Sequence, residues 1–338
     1  MTSSQEITEN QLQAVLIIGG SGDIGSRIAR ALLNVNQNGI STFKVGILSR
    51  IQTFQTGAKK ELLKDLKNRG AVIIYADYSQ DQELLKAMTG YDTVINIGWT
   101  QDNGERGIRF INIALETGTV KRFIPNGYYV DYSFYYDQQG NQIWPNLERI
   151  SLKGRPAIHS HLVQMAEKHH DFSFTEFVVG CIAYEPQPNF FHIDVKNYSA
   201  KVLGDPDQKF MLTFLDDLPD LVVEALKNRS QSRNARLSLC SVYVSFSEIL
   251  SLAEEITNQS FKRTTIDTQE LQANIPGSHK KYTQYLMMSI GGYQPAPLES
   301  HECNRIQRKD TDDEFFPQVK RTSLQEWLRA CTKCAKQQ

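Results

Sequence analysis

Residues 14–25, Ala14-Val-Leu-Ile-Ile-Gly-Gly-Ser-Gly-Asp-Ile-Gly25, decide the fold. Ala14–Ile18 make a short buried strand, and a glycine-rich turn follows directly. The turn runs into Ser26-Arg-Ile-Ala-Arg-Ala-Leu-Leu33, whose apolar positions recur at helical spacing. A strand, a glycine turn and a helix in that order are the setting in which such a motif binds a dinucleotide. Gly20-x-Gly22-x-x-Gly25 fits one glycine spacing and Gly19-x-x-Gly22-x-x-Gly25 another. The early glycines let the chain turn with positive φ and bring bare backbone to a pyrophosphate. Gly25 permits close helix–strand packing, and the free N–H groups of the helix start face the anion. The expected cofactor cradle is therefore Gly19, Gly20, Ser21, Gly22, Asp23, Ile24 and Gly25.

A chain of 338 residues accommodates one large α/β domain, or a nucleotide domain with a smaller partner. Its hydrophobic share of 40% and charged share of 22% are those of an ordinary globular protein. A formal net charge of −1 gives no case for nucleic acid or an anionic membrane as partner. The first eleven residues are polar and acidic, unlike a signal or transit peptide. No apolar run approaches membrane-spanning length. Five cysteines, an odd number without a secretion signal, point to reduced thiols and a cytoplasmic location.

Short apolar runs then alternate with helical patterns. Strands are expected at Phe43–Leu48, Ala71–Tyr75, Thr93–Asn96, Arg122–Pro125 and Phe172–Val179. Helices are expected at Lys59–Asn68, Gln82–Met88, Arg106–Glu116 and Ala157–Lys168. Repeated βαβ units of this kind imply a Rossmann-type, doubly wound parallel sheet in the α/β class. The alternation ends near residue 180. The expected division is a dinucleotide-binding domain over 12–180 and a smaller, interleaved α/β substrate-binding region over 181–330. Flexible tails are expected at 1–11 and 331–338. Within the second region the pattern predicts a hairpin from Ser199 to Phe214. Helices are expected around Leu218–Lys227, Ser247–Ile256, Gln269–Ala273 and His279–Ile290.

In a doubly wound sheet the ligand lies at the carboxyl ends of the strands. The second strand ends in Leu48-Ser49-Arg50. An acidic residue there suits the 2′-hydroxyl of NAD, whereas Arg50 suits a 2′-phosphate, so the sequence favours NADP(H). Asp77 and Tyr78 close the third strand where adenine would lie; a plain turn aspartate is the alternative for Asp77. Asn96-Ile-Gly-Trp99 closes the fourth, where the small Gly98 and its neighbour Trp99 border the cofactor. None of the fourteen tyrosines is followed by lysine four residues later, so the Tyr-x-x-x-Lys pair of ordinary short-chain reductases is absent.

Several motifs in order resemble the isoflavone-reductase-like and NmrA-like branch of atypical short-chain dehydrogenase/reductases. These are Gly19–Gly25, Arg50, Thr117–Pro125, Tyr129-Val-Asp131, Phe174–Gly180, Leu203-Gly204 with Asp216–Pro219, and Phe316–Trp327. The likeness runs from about residue 14 to 330. It implies an NADP(H)-binding reductase of a small aromatic or polyketide-like metabolite, with Asn126 in the cofactor site. It also places substrate contacts at Phe190 and Phe191. Two departures stand out: Pro125-Asn-Gly-Tyr-Tyr129 replaces the family's usual Pro-Ser-Glu-Phe-Gly. The lysine that serves proton transfer at the start of the sixth helix is replaced by Arg155. A guanidinium orients a substrate but is a poor general acid. Lys153, and His159 one helical turn beyond Arg155, are the other candidates; a surface histidine is the plain alternative for His159.

Tyr128, Tyr129 and Tyr132 belong to a ring-rich connection suited to walling a substrate pocket, or simply to pinning the loop. His159 and His161 stand two apart on a helix and face different directions, so they do not chelate together. One Cys-x-x-Cys, Cys331 to Cys334, is a weak zinc signal, and no metal is expected. Besides an NADPH-dependent reductase, two readings stay open: a non-catalytic NADP(H)-sensing regulator with a protein partner, and an isomerase or dehydratase on the same fold. A homodimer is also left open.

Overall fold

The computed structural model describes residues 12–36, 42–50, 57–98, 104–127, 154–203, 205–266 and 316–337. Its first strands are β1 (Gln13–Ile18), β2 (Phe43–Ser49), β3 (Val72–Tyr75), β4 (Thr93–Asn96), β5 (Arg122–Ile124) and β6 (Ser173–Val178). Between them run α1 (Asp23–Asn36), α2 (Gly57–Asn68), α3 (Asp81–Met88), α4 (Glu105–Glu116) and α5 (Arg155–Lys168). With β12 (Ala235–Ser238) the strands form a seven-stranded sheet in the order β12-β6-β5-β4-β1-β2-β3. β1 pairs in parallel with both β2 and β4, so the winding reverses at β1. That reversal opens the crevice in which doubly wound sheets bind ligands.

Burial explains the strands. β4, β5 and β6 are buried along their whole length, as strands covered on both faces must be. Leu16, Ile18, Val94, Phe123 and Phe174 share a core with Phe110 and Ala114 of α4 and Ile158 and Leu162 of α5. Gly107 on α4 lets α5 approach closely, since a Cβ there would stand 2.6 Å from Ile158 Cδ1. Arg122 is also buried, 2% exposed, and donates from Nη2 to Thr175 Oγ1 (2.6 Å) and to the Ser232 carbonyl (3.1 Å).

The chain divides into two compact units. The first comprises 1–126, 157–176 and 219–235, and the second 127–156, 177–218 and 236–338. Residues 219–235 thus return to the first unit, carrying most of α6 (Leu218–Lys227). The second unit contains β7 (Cys181–Ala183), β8 (Asn189–Phe190), β9 (Ile193–Asp194), β10 (Ser199–Leu203) and β11 (Lys209–Phe214). It continues with β13 (Val242–Ser245), α7 (Phe246–Thr257), β14 (Lys262–Ile266) and α8 (Leu324–Gln337).

Two expectations are corrected. Ser199–Phe214 is not a hairpin: β10 joins β14 and β9, whereas β11 joins β7 and β13 in a separate three-stranded sheet. β10 has β9 on one edge and β14 on the other, and β11 has β7 and β13, so neither strand has an edge left for the other. Residues 331–337 are no tail but the last turns of α8, with Cys331 fully buried. Trp327 anchors that helix, stacked on Phe214 at 5.3 Å and edge-on to Phe190 at 4.8 Å. The tail expected at 1–11 and the helices expected at 269–273 and 279–290 lie outside the described residues.

Candidate cofactor site

β1 delivers the chain to Gly19, which adopts φ +82°, a conformation costly to any residue bearing a Cβ. Its carbonyl accepts the Gly22 N–H at 2.9 Å, and the Gly22 carbonyl accepts the Ser26 N–H at 2.9 Å, which starts α1. The turn is packed from both sides. A Cβ on Gly25 would lie 2.5 Å from the Gly19 oxygen and 2.8 Å from Gly20 Cα. A Cβ on Gly20 would meet the Ile47 side chain at 2.9 Å, and one on Gly19 would meet the Gly98 nitrogen at 3.1 Å. Gly22 and Asp23 are exposed, with Asp23 paired to Arg27 at 3.1 Å, and Ser21 and Ile24 are half-buried.

The end of β4 is fixed beside this turn. Buried Asn96 accepts the Gly98 N–H at 2.9 Å, and Asn126 Nδ2 donates to the Gly98 carbonyl at 2.7 Å. Gly19, Gly98 and Asn126 therefore converge at the carboxyl ends of β1, β4 and β5.

On the β2–β3 side, the Tyr78 hydroxyl donates to the Leu48 carbonyl at 2.9 Å and is hydrogen-bonded by the Gly19 backbone. Burial pushes this phenol up to about 12 against the opposing pull of Arg50. Arg50 is exposed at the end of β2, close enough to act electrostatically on Tyr78. Asp77 is exposed and accepts the Ser79 N–H (2.9 Å) and hydroxyl (2.8 Å), bonds that hold its carboxyl below the usual carboxylate range. Its carboxylate thus shapes the turn into α3.

Arg155 is the first residue of α5, and His159 follows one turn later. His159 is largely buried. Its Nδ1 lies 2.6 Å from Glu176 Oε2 on β6, and its ring meets Phe174 edge-on. His161 turns instead toward α4, with Nε2 2.6 Å from Asn112 Oδ1, and burial lowers its pKa. Phe190 and Phe191, proposed as substrate contacts, are 8% and 9% exposed and pack with Trp327 in the core of the second unit. Lys153, Trp99, Tyr128, Tyr129 and Tyr132 lie outside the described residues. Among the described residues no group of three metal-ligating side chains comes together.

The sequence profile of the NmrA-like family matches residues 11–328. The chain belongs to the NmrA-like family. Within it, the chain is 24% identical over 319 residues to an isoflavone reductase homolog of Nicotiana glauca, covering 89% of this chain and 96% of that one. It is 23% identical over 324 residues to a bifunctional pinoresinol-lariciresinol reductase of Linum perenne, covering 94% and 98%. Among solved structures, AtPrR2 with NADP+ and (+)-pinoresinol superposes with a TM-score of 0.74 at 19% identity, over 95% of this chain and 99% of that one.

Sequence reasoning missed Glu176 and the linking role of the Tyr78 hydroxyl. A signal for Glu176 was present: a lone acid within the apolar run Phe174-Thr-Glu-Phe-Val-Val179. No local pattern marked the Tyr78 hydroxyl, whose partners lie 30 residues away on β2 and farther still in the turn after β1.

Proposed function

We propose that this NmrA-like protein is an NADPH-dependent reductase of a small aromatic or polyketide-like metabolite. The observation that carries the reading is the glycine turn packed against Gly98, with Arg50 exposed at the end of β2. A Cβ at Gly19, Gly20 or Gly25 would strike its neighbours, so the turn is built to present backbone. Backbone N–H groups at the start of α1 suit a pyrophosphate, and the Arg50 fork suits a 2′-phosphate. The relatives named for isoflavone and pinoresinol reduction make an aromatic substrate the natural class to try.

When bound, NADPH supplies a hydride. The residues of the chain must then hold the substrate carbon in line and place a proton on the atom that gains the electron pair. Lys153, Arg155 and His159 are the groups proposed for the reacting end. Arg155 orients or polarises, since a guanidinium does not release its proton near neutrality.

Two measurements test the reading. NADPH is expected to bind at least tenfold more tightly than NADH, with the preference lost in Arg50→Ala; equal affinities overturn the cofactor assignment. Mixing with pinoresinol, aromatic ketones and aromatic alkenes is expected to bleach the reduced-nicotinamide absorbance. A protein that binds NADPH yet bleaches with none of them overturns the reductase reading in favour of a sensor, or of an isomerase or dehydratase without net NADPH consumption.

A further inference from the structure

Glu176 occupies the interior of β6, a strand buried at all six positions. A carboxylate in such a row is costly unless it is paired and hydrogen-bonded. The fold meets that cost with His159, whose Nδ1 stands 2.6 Å from Glu176 Oε2; the two side chains are only 18% and 9% exposed. Phe174, two residues before Glu176 on the same face of the strand, holds the imidazole edge-on at 6.0 Å.

The register of the sheet locates this pair. Phe174 lies opposite Phe123, Ile124 opposite Ile95, and Asn96 opposite Ile18. Two residues beyond Phe174, Glu176 falls in the same row as Ile18, the last residue before the glycine turn. Three strand spacings, about 14 Å, separate them along that row. The pair therefore sits at the carboxyl edge of the sheet, on the β4–β6 half. Arg50 and Tyr78 occupy the β1–β3 half. In a doubly wound sheet the two halves take the two ends of a dinucleotide. With its adenosine end at Arg50, the reacting end falls on the side of His159.

We propose that Glu176 and His159 form a proton relay for the reduction, in which Glu176 positions the imidazole and His159 is the general acid. The inference rests on the reductase reading above. Glu176 accepts the Nδ1–H bond, which fixes the tautomer and leaves proton exchange to Nε2 on the opposite edge of the ring. Hydride arriving from reduced nicotinamide at the carbon of a C=O or conjugated C=C pushes the displaced π electrons onto the oxygen or the far carbon. The His159 Nε2–H bond then breaks, and its proton forms the new O–H or C–H bond. The neutral imidazole keeps its Nδ1–H on Glu176, and solvent returns one proton to Nε2. The balance is one substrate, one NADPH and one proton consumed, with reduced product and NADP+ formed. A histidine held in this way supplies the transferable proton that Arg155 does not.

The test combines imidazole NMR on 15N-histidine-labelled full-length protein with kinetics on whichever probe bleaches NADPH. Wild type is expected to show a far-downfield Nδ1–H proton, assigned by its loss in His159→Gln and absent from Glu176→Gln. His159→Gln is expected to lower kcat about 100-fold or more, the usual worth of a positioned general acid. Glu176→Gln is expected to lower kcat about tenfold to 100-fold, with KM and the NADPH dissociation constant within twofold of wild type. Glu176→Asp restores part of kcat and serves as the folded comparison should the glutamine variant be unstable. Wild-type kcat in either glutamine variant, or a downfield proton that persists in Glu176→Gln, overturns the relay while leaving the reductase intact. Failure of wild type itself to bleach NADPH with any probe overturns the reductase reading and the relay together.

Discussion

Gly25 stands so close to Gly19 that a Cβ on it would lie 2.5 Å from the Gly19 carbonyl oxygen, well inside contact distance. Both partners in this contact are main chain, so no side chain can swing aside. Gly25→Ala is expected to force the start of α1 away from β1. Destabilisation of about 1–3 kcal/mol follows, the usual range for overpacking. Urea unfolding measures it, and a parallel NADPH titration is expected to show weaker binding because the helix N–H groups no longer converge. Unchanged stability would contradict the packing described.

Tyr78 ties the end of β2 to the turn after β1 through one hydroxyl. An ordinary tyrosine ionises near pH 10, and burial holds this one up at about 12. Between those values the unfolded chain loses its phenolic proton while the folded protein keeps it. Stability from this group is therefore complete below pH 10 and falls as pH rises toward 12, by about 2–3 kcal/mol in all. Denaturation series at stepped alkaline pH are expected to show this slope in wild type and a shallower one in Tyr78→Phe. Parallel slopes would place the phenol in water.

Arg122 is buried with no carboxylate in direct contact among the described residues, and Thr175 Oγ1 accepts from both its Nε (3.1 Å) and Nη2 (2.6 Å). Burial pulls its pKa down to about 9. Thr175→Val keeps the side-chain shape and removes the acceptor. A loss of about 1–3 kcal/mol is expected, because Arg122 loses both bonds to Thr175 inside the protein and keeps those to Ser232. The midpoint of chemical denaturation reads it directly. NADPH affinity is expected to change little, because the register places Arg122 two residues before the carboxyl end of β5.

Trp327 carries α8 onto the second unit, stacked on Phe214 and edge-on to Phe190. Its indole N–H is buried without an acceptor among the described residues, so packing rather than hydrogen bonding holds the ring. Trp327→Ala is expected to cost about 3–5 kcal/mol, the range for removing a large buried ring. Accelerated proteolysis at the C-terminus is expected alongside, since α8 loses its anchor. Resistance equal to that of wild type would mean that the helix is held elsewhere.

The sequence by itself determined the β1–turn–α1 unit, the parallel α/β sheet, and the places where its strands begin and end to within a residue or two. Those features follow from local chemistry: buried parallel strands are continuous apolar runs, helices repeat every three to four residues, and a glycine turn announces itself. The glycines and Arg50 of the candidate site were legible for the same reason, since strand ends can be counted. Pairing was decided only in three dimensions. The pattern marked β10 and β11 as strands with a turn between them, yet nothing local shows which edges a strand buried on both faces will take. Only packing brought α8 down onto Phe190 and Phe214. Tertiary structure alone placed the Tyr78 hydroxyl between Gly19 and Leu48, and set His159 against Glu176 across 17 residues of chain. A buried carboxylate in an apolar run is only a cost until the fold shows what it faces, and here it faces an imidazole at the carboxyl edge of the sheet.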